Sequence, residues 1–306
     1  MLILDFTSTI LDLYLSLFVC PFIFLPYPAG YPLGLFRFLN IPTSVQVYLG
    51  MSFIGVVAIS LINLLESRYN KLCTITEDSK KRKYRRYFIA IIQYIFSFTF
   101  FAPVYFNIPD ENYAIQVLTS ELYCVDPEKF HNPYFFCLTL QPEIAMFSIL
   151  SAIILVVPQM IFYPIGSFRY LNKNRNSTSR TTYIFRMKFI LALCFQVFIP
   201  VIFLVVPSTF VVFSLYTKYF NQGITNLSMI FFATHGGISS IVTLIVHKPY
   251  RDFTLQTLYQ FKIFRFIIKI PKVRDHRETA LEFYKEARPK STVVGRNLPQ
   301  RNLYVQ

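Results

Sequence analysis

The five cysteines, Cys20, Cys73, Cys124, Cys137 and Cys194, contain no CxxC pair, and the four histidines, His131, His235, His247 and His276, form no ligand-spaced cluster. A metal centre therefore lacks the spacing it needs. The chain also has no glycine loop for a nucleotide, no nucleophile elbow and no paired catalytic carboxylates. An enzymatic reading has no residue to stand on, and no cofactor is expected. Charge is scarce as well: Asp, Glu, Lys and Arg make up 15% of the residues, and the twenty-one residues of 226–246 contain none of them. As a helix, such a stretch crosses a hydrocarbon core of about 30 Å.

What is present is apolar. Hydrophobic residues make up 54% of the 306, and runs of twenty or more recur, which describes a polytopic helical membrane protein. Six spans are expected, over 2–25, 43–65, 87–106, 144–163, 189–216 and 226–246, here called A to F. Backbone amides in hydrocarbon must be satisfied within their own segment, and these runs are too long for barrel strands, so all six are expected to be helices. Span A is not read as a signal peptide. It has no basic leader, carries Asp5 and Asp12, and offers Pro21 and Pro26 where a cleavage site would stand.

The net charge of +14 reflects location and does not point to nucleic acid. Lys and Arg number one between A and B, eight between B and C, one between C and D, six between D and E, one between E and F, and thirteen after F. Alternate connections hold 27 against 3, so the rich side is cytoplasmic and both termini of this chain lie there. The 107–143 connection is then external, with six acidic residues and one lysine. Its Cys124 and Cys137 can close a disulfide or stand as two thiols, since spacing does not fix connectivity. The bundle is expected over 1–251, followed by a cytoplasmic tail over 252–306. Within 251–270, Lys262, Arg265 and Lys269 oppose Phe261, Phe264 and Ile268, as in a helix lying on an anionic leaflet.

Several polar groups stand out. Asp12 sits near the middle of span A, where a carboxylate costs about 2.5–3.5 kcal/mol and has to face protein or water. It serves either function or structure. Gln93, Gln159, Gln196 and His235 are in-span polar groups suited to interhelical bonding. Pro200 and Pro207 withhold amide donors inside span E and are candidates for a kink. At the end of span B, Glu66 and Arg68 form either a switch with two arrangements or a headgroup anchor. The run from Lys80 to Arg86 offers a cationic surface or fixes topology.

Pro28-Ala29-Gly30-Tyr31-Pro32-Leu33-Gly34, Pro42-Thr43 with Gln46-Val47-Tyr48-Leu49, Gln196 with Pro200 and Pro207, His235-Gly236 with Ser239-Ser240, and the closing His247-Lys248-Pro249-Tyr250-Arg251 occur in order. In this the chain resembles the nematode serpentine chemoreceptors of class H. The resemblance implies a rhodopsin-like, G-protein-coupled helix bundle in the plasma membrane of sensory cells. It also implies a small external ligand, a heterotrimeric G protein inside, and coupling residues at Glu66, Arg68, Pro249, Tyr250 and Arg251. By this register span A corresponds to the family's second helix, so six spans stand where the family has seven, and an oligomer can cover the face left open. A six-span transporter or channel, or a non-signalling receptor remnant, is the alternative. Against the transporter, the sequence shows no inverted repeat and no filter-like loop.

Overall fold

The computed structural model describes residues 2–73, 80–122, 125–175, 179–246 and 251–254. The chain forms two units, Met1–Arg251 and Asp252–Gln306. In the second only 252–254 are described, so the amphipathic helix expected to 270 lies beyond the described residues. The first unit is a helix bundle. Its elements are α1 (Leu2–Leu13), β1 (Pro21–Phe24), β2 (Ala29–Pro32), α2 (Thr43–Cys73), α3 (Lys80–Thr99), α4 (Glu111–Glu121), β3 (Phe136–Cys137), α5 (Pro142–Lys173), α6 (Arg180–Pro200), α7 (Val206–Thr217) and α8 (Gln222–Val246).

Among the described residues, four helical stretches are long and apolar enough to cross a membrane: Thr43–Leu72, Lys83–Asn107, Pro142–Lys173 and Val197–Thr217. They correspond to spans B to E. Spans A and F are helical too, but A is shorter than its apolar run suggests. After α1 the chain continues as a π-helix over Tyr14–Val19, and Cys20 then turns into the left-handed region at φ 43°. Pro21 cannot donate the next helical bond, and the apolar residues that follow become strand β1 instead of more helix. The expectation of helix to residue 25 is corrected there: apolar content marks burial, not helicity.

β1 and β2 pair antiparallel with Phe24 opposite Ala29, and β3 adds to β2 with Cys137 opposite Ala29. This small sheet lies over one end of the bundle. Leu138 N–H donates to Pro28 O at 3.0 Å, Gln222 Nε2 to Ile23 O at 2.9 Å, and Thr43 Oγ1 to Tyr134 O at 2.9 Å. α4 and the 3-10 turn Pro127–His131 complete the cap, with Phe24, Leu118, Phe130 and Cys137 in one buried cluster. Asp110 starts α4 by accepting from the amides of Asn112 and Tyr113, as an N-cap does.

Below the cap, Leu11, Tyr14, Ile62, Leu65, Met160 and Phe232 form the central core. The outward faces are also apolar. On α5, Phe147, Ile154, Ile161 and Phe168 recur every seventh residue and remain 46–63% exposed. A helix apolar on its free face as well as its packed one has lipid for a solvent.

Candidate functional site

Helices, cap and a proline-rich segment line a partly open cavity of about 170 Å³ at the capped end. Tyr14 and Val19 come from the first helical segment, Ile23 and Leu25 from the hairpin, Gln46 and Met51 from α2, Ala145 and Ile149 from α5, Val211 from α7 and Phe232 from α8. Most of this surface is hydrocarbon, with polar groups at a few positions. Tyr14 OH donates to Gln46 O at 2.7 Å, Thr43 Oγ1 reaches into the cap, and Ser208 Oγ donates to Leu204 O at 2.7 Å. A mostly apolar chamber with a few fixed polar groups is the usual form of a small-molecule site.

A smaller cavity of about 80 Å³ lies beside it and shares Met51, Ile54, Ile149 and Ser208 with it. Its far wall holds Pro200, Leu204 and Val205. Pro200 ends α6 and Pro207 stands in the first turn of α7, and between them Val201–Val205 is π-helical. The cause is local: Pro207 has no amide to give the carbonyl one turn back, and a wider turn absorbs the mismatch. The structure thus places both kink candidates at the ends of one irregular turn, next to the cavities. The side chain of Gln196 lies outside the described set.

Asp12 finds its partner on the neighbouring helix α8. Its Oδ1 accepts from Gly236 N–H at 2.9 Å and its Oδ2 from Gly237 N–H at 2.6 Å. Within α8 these N–H groups also face the carbonyls four residues back, so the bonds to Asp12 are shared ones, and the missing side chains of two successive glycines let the carboxylate come that close. A Cβ on Gly236 would stand 2.8 Å from Ser8 O and 2.9 Å from Asp12 Oδ2, so α1 and α8 meet there backbone to backbone. His235 next door is 1% exposed, and neither ring nitrogen has a hydrogen-bond partner among the described residues. Gln93 and Gln159, in-span polar groups suited to interhelical bonding, join α3 to α5, Gln93 Nε2 donating to Gln159 Oε1 at 2.9 Å.

At the opposite end, Glu66 Oε1 accepts from Arg86 Nε at 2.9 Å and also faces Asn70 Nδ2 at 3.4 Å. The sequence had suggested Arg68 as the neighbouring cation. Two positions along one helix are roughly 200° apart, so Arg68 cannot share the face of Glu66, whereas Arg86 meets it from α3. One residue of the basic run is therefore a specific partner within the bundle. Tyr69 packs edge-on against Phe162 and lies close to Gly166, tying the same end of α2 to α5. Arg251 is described and helical, while Pro249 and Tyr250 lie outside the described residues.

Cys137 is buried in the cap and has no disulfide partner among the described residues, with Sγ 3.7 Å from Thr139 O. Burial pushes that thiol up to about 12. Cys124 lies outside the described residues, and their pairing keeps the standing it had in the sequence. What the sequence did not expose was the wall of the cavity. Gln46 and the Pro28–Gly34 run stood out only as pieces of a resemblance, and the contribution of Tyr14 needed the fold.

Residues 1–260 match the family described as serpentine type 7TM GPCR chemoreceptor Srh. The chain is also similar to Serpentine receptor class H-72 of Caenorhabditis elegans, 26% identical over 243 residues that cover 78% of this chain and 69% of that protein. No solved structure matches.

Proposed function

Since the chain belongs to the Srh family of serpentine seven-transmembrane chemoreceptors, we propose that it detects a small external molecule in the capped cavity and signals to a heterotrimeric G protein at the opposite end. The observation that carries this reading is the cavity itself: an apolar chamber of about 170 Å³ roofed by the β-sheet and walled by most of the bundle's helices. The capped end holds only three of the thirty Lys and Arg residues, which supports an external cap and a cytoplasmic location for both termini. The six helical segments then act as spans of a rhodopsin-like bundle.

In this reading the ligand shifts an equilibrium between bundle arrangements that fit it differently. The shared wall of the two cavities supports a route for that shift. A molecule pressing on Met51, Ile149 and Ser208 acts on side chains that also bound the smaller cavity beside the π-helical turn. α6 and α7, joined at that turn, then change their relation. Glu66–Arg86 is a contact that can break or hold at the far end, and Arg68, Pro249, Tyr250 and Arg251 are the further residues offered to the G protein. Asp12 stays with α8 and keeps the two outer helices in register.

The test uses the full chain in cells that report G-protein activation, screened with small apolar molecules. Val211→Phe fills the cavity from α7. Responses are expected to disappear in that variant, with surface expression within about twofold of the parent. A response that survives at full size places the ligand elsewhere.

A further inference from the structure

Met51 and Ile54 of α2, Ile149 of α5 and Ser208 of α7 line both cavities, so they form the partition between them. Three of these side chains are held. A β-branched side chain on a helix has one strongly preferred rotamer, which fixes Ile54 and Ile149, and Ser208 Oγ is tied to Leu204 O at 2.7 Å. Met51 differs from them. It is unbranched, and its flexible thioether adapts to irregular gaps. It is half-buried on a helix packed against α1, α3 and α5, and with Ile149 it lies against the cluster of Leu25, Phe100 and Leu138. The partition therefore has one movable member.

Neither lining contains Asp, Glu, Lys, Arg or His. The hydroxyls of Tyr14, Thr43, Ser97 and Ser208 each donate to a backbone carbonyl. An ion entering from water would lose its hydration and meet no counter-charge. Size narrows the class further. An apolar cavity of about 150 Å³ accommodates benzene, so the larger cavity, about 170 Å³, suits roughly six to nine non-hydrogen atoms. The smaller one, about 80 Å³, adds room for roughly three or four more. Resting on the reading of the larger cavity as the ligand site, we propose that the ligand is an uncharged, hydrocarbon-rich molecule and that Met51 sets the length accepted. In the unsubstituted chain Met51 closes the way to the smaller cavity, and the site takes a compact molecule. With Met51 cut back the two cavities join, and a longer tail enters toward Leu204 and Val205 beside the π-helical turn. In an apolar pocket one misfitting methylene is worth about tenfold or more in affinity, so a single side chain in the partition is enough to set a length limit.

The experiment titrates the full chain in nanodiscs with ethylbenzene, with pentylbenzene, which differs only in the length of its alkyl chain, and with phenylacetate, which carries a charge. Ligand-dependent thermal shifts give the affinities, each referred to the concentration of the probe in lipid as measured with empty nanodiscs. The unsubstituted chain is expected to prefer ethylbenzene to pentylbenzene by about tenfold or more. In Met51→Ala the two are expected to agree within about twofold. Ala152 lines only the smaller cavity, so adding Ala152→Leu to Met51→Ala is expected to restore the preference for the shorter probe. Equal affinities in the unsubstituted chain, as when the tail leaves through the open side, would overturn the length limit and leave the cavity as a ligand site. A preference that persists in Met51→Ala would remove Met51 as its cause, and one that Ala152→Leu does not restore would remove the smaller cavity as the place of the tail. Phenylacetate binding as tightly as ethylbenzene would overturn the uncharged class. Binding of neither hydrocarbon, in the unsubstituted chain or in Met51→Ala, would overturn the cavity reading as well. Should Met51→Ala fail to fold, Met51→Val, a smaller truncation, is expected to shift the ratio in the same direction, and an unchanged ratio there would equally remove Met51.

Discussion

A glycine is ordinarily a weakness inside a helix, less favourable than alanine by about 0.8–1.0 kcal/mol. On propensity alone, Gly236→Ala and Gly237→Ala would both stabilise α8. The packing separates them. A methyl at 237 meets Asp12 Oδ2 at an ordinary 3.6 Å, while one at 236 collides with the Ser8 carbonyl, which belongs to backbone and cannot swing away. Overpacking of that kind costs about 1–3 kcal/mol and exceeds the propensity gain. Thermal unfolding in detergent is expected to show a lower midpoint for Gly236→Ala and an equal or higher one for Gly237→Ala. Similar midpoints for the two would remove the close approach of α1 to α8. Cys137 gives a second residue-scale test. Its thiol is held up at about 12 against an ordinary 9, so the folded cap favours the protonated form. That contribution is complete below pH 9 and is lost as pH rises from 9 toward 12. In folded protein a maleimide is expected to leave Cys137 unmodified at pH 8 and to modify it after unfolding. Recovery of Cys137 linked to Cys124 would establish the disulfide instead.

The helices were more legible than the ends that join them. Periodicity and length found spans B to E because a run of twenty apolar residues has few alternatives in a bilayer. Span A was read too long since residues 21–25 are as apolar as the helix before them, and only Cys20 and Pro21 mark the change to strand. The sheet pairs residues more than a hundred positions apart, β2 with β3, and no local pattern reports such a pairing. Asp12 was legible as a group in need of a partner, but not the partner, which lies 224 residues away. Glu66 shows the opposite case. Helical spacing alone excludes Arg68 from its face, and a cation at the facing end of the next helix was present in the sequence. An ion pair with side chains 33% and 17% exposed contributes at most about 1 kcal/mol, too little to hold α2 against α3 but enough to bias a balanced pair of states. Glu66→Gln is expected to raise agonist-free G-protein activation by up to about fivefold, and the exchange Glu66→Arg with Arg86→Glu to bring it back. Unchanged basal activity in Glu66→Gln would leave the pair a structural tie.

At the scale of the whole molecule, the orientation of the bundle decides what each end can meet. The cap gathers the connection between α1 and α2, the 107–142 segment and the start of α8, joined by the bonds from Leu138, Thr43 and Gln222. The other end gathers the close of α2, the start of α3 and the α5–α6 turn, where Tyr183 donates to Asn172 at 3.2 Å and Arg175 lies over the Tyr183 ring, 5.6 Å from its centroid. Among the described residues the fold therefore keeps together the two connections, B–C and D–E, that carry fourteen Lys and Arg, and separates them from the cap, which carries three. Cationic residues next to spans are retained on the cytoplasmic face, so the cap should face outward. Glu128 is exposed in the cap and Lys81 is exposed at the start of α3. In intact cells a membrane-impermeant maleimide is expected to label Glu128→Cys above the background of the unsubstituted chain, and to label Lys81→Cys only after permeabilisation. The reverse pattern would invert the bundle and place the cavity mouth toward the cytoplasm, where an external ligand cannot be its occupant. Labelling of both in intact cells would mean that α2 and α3 do not separate the two sites across a membrane, and the division into a sensing end and a signalling end would fall with it.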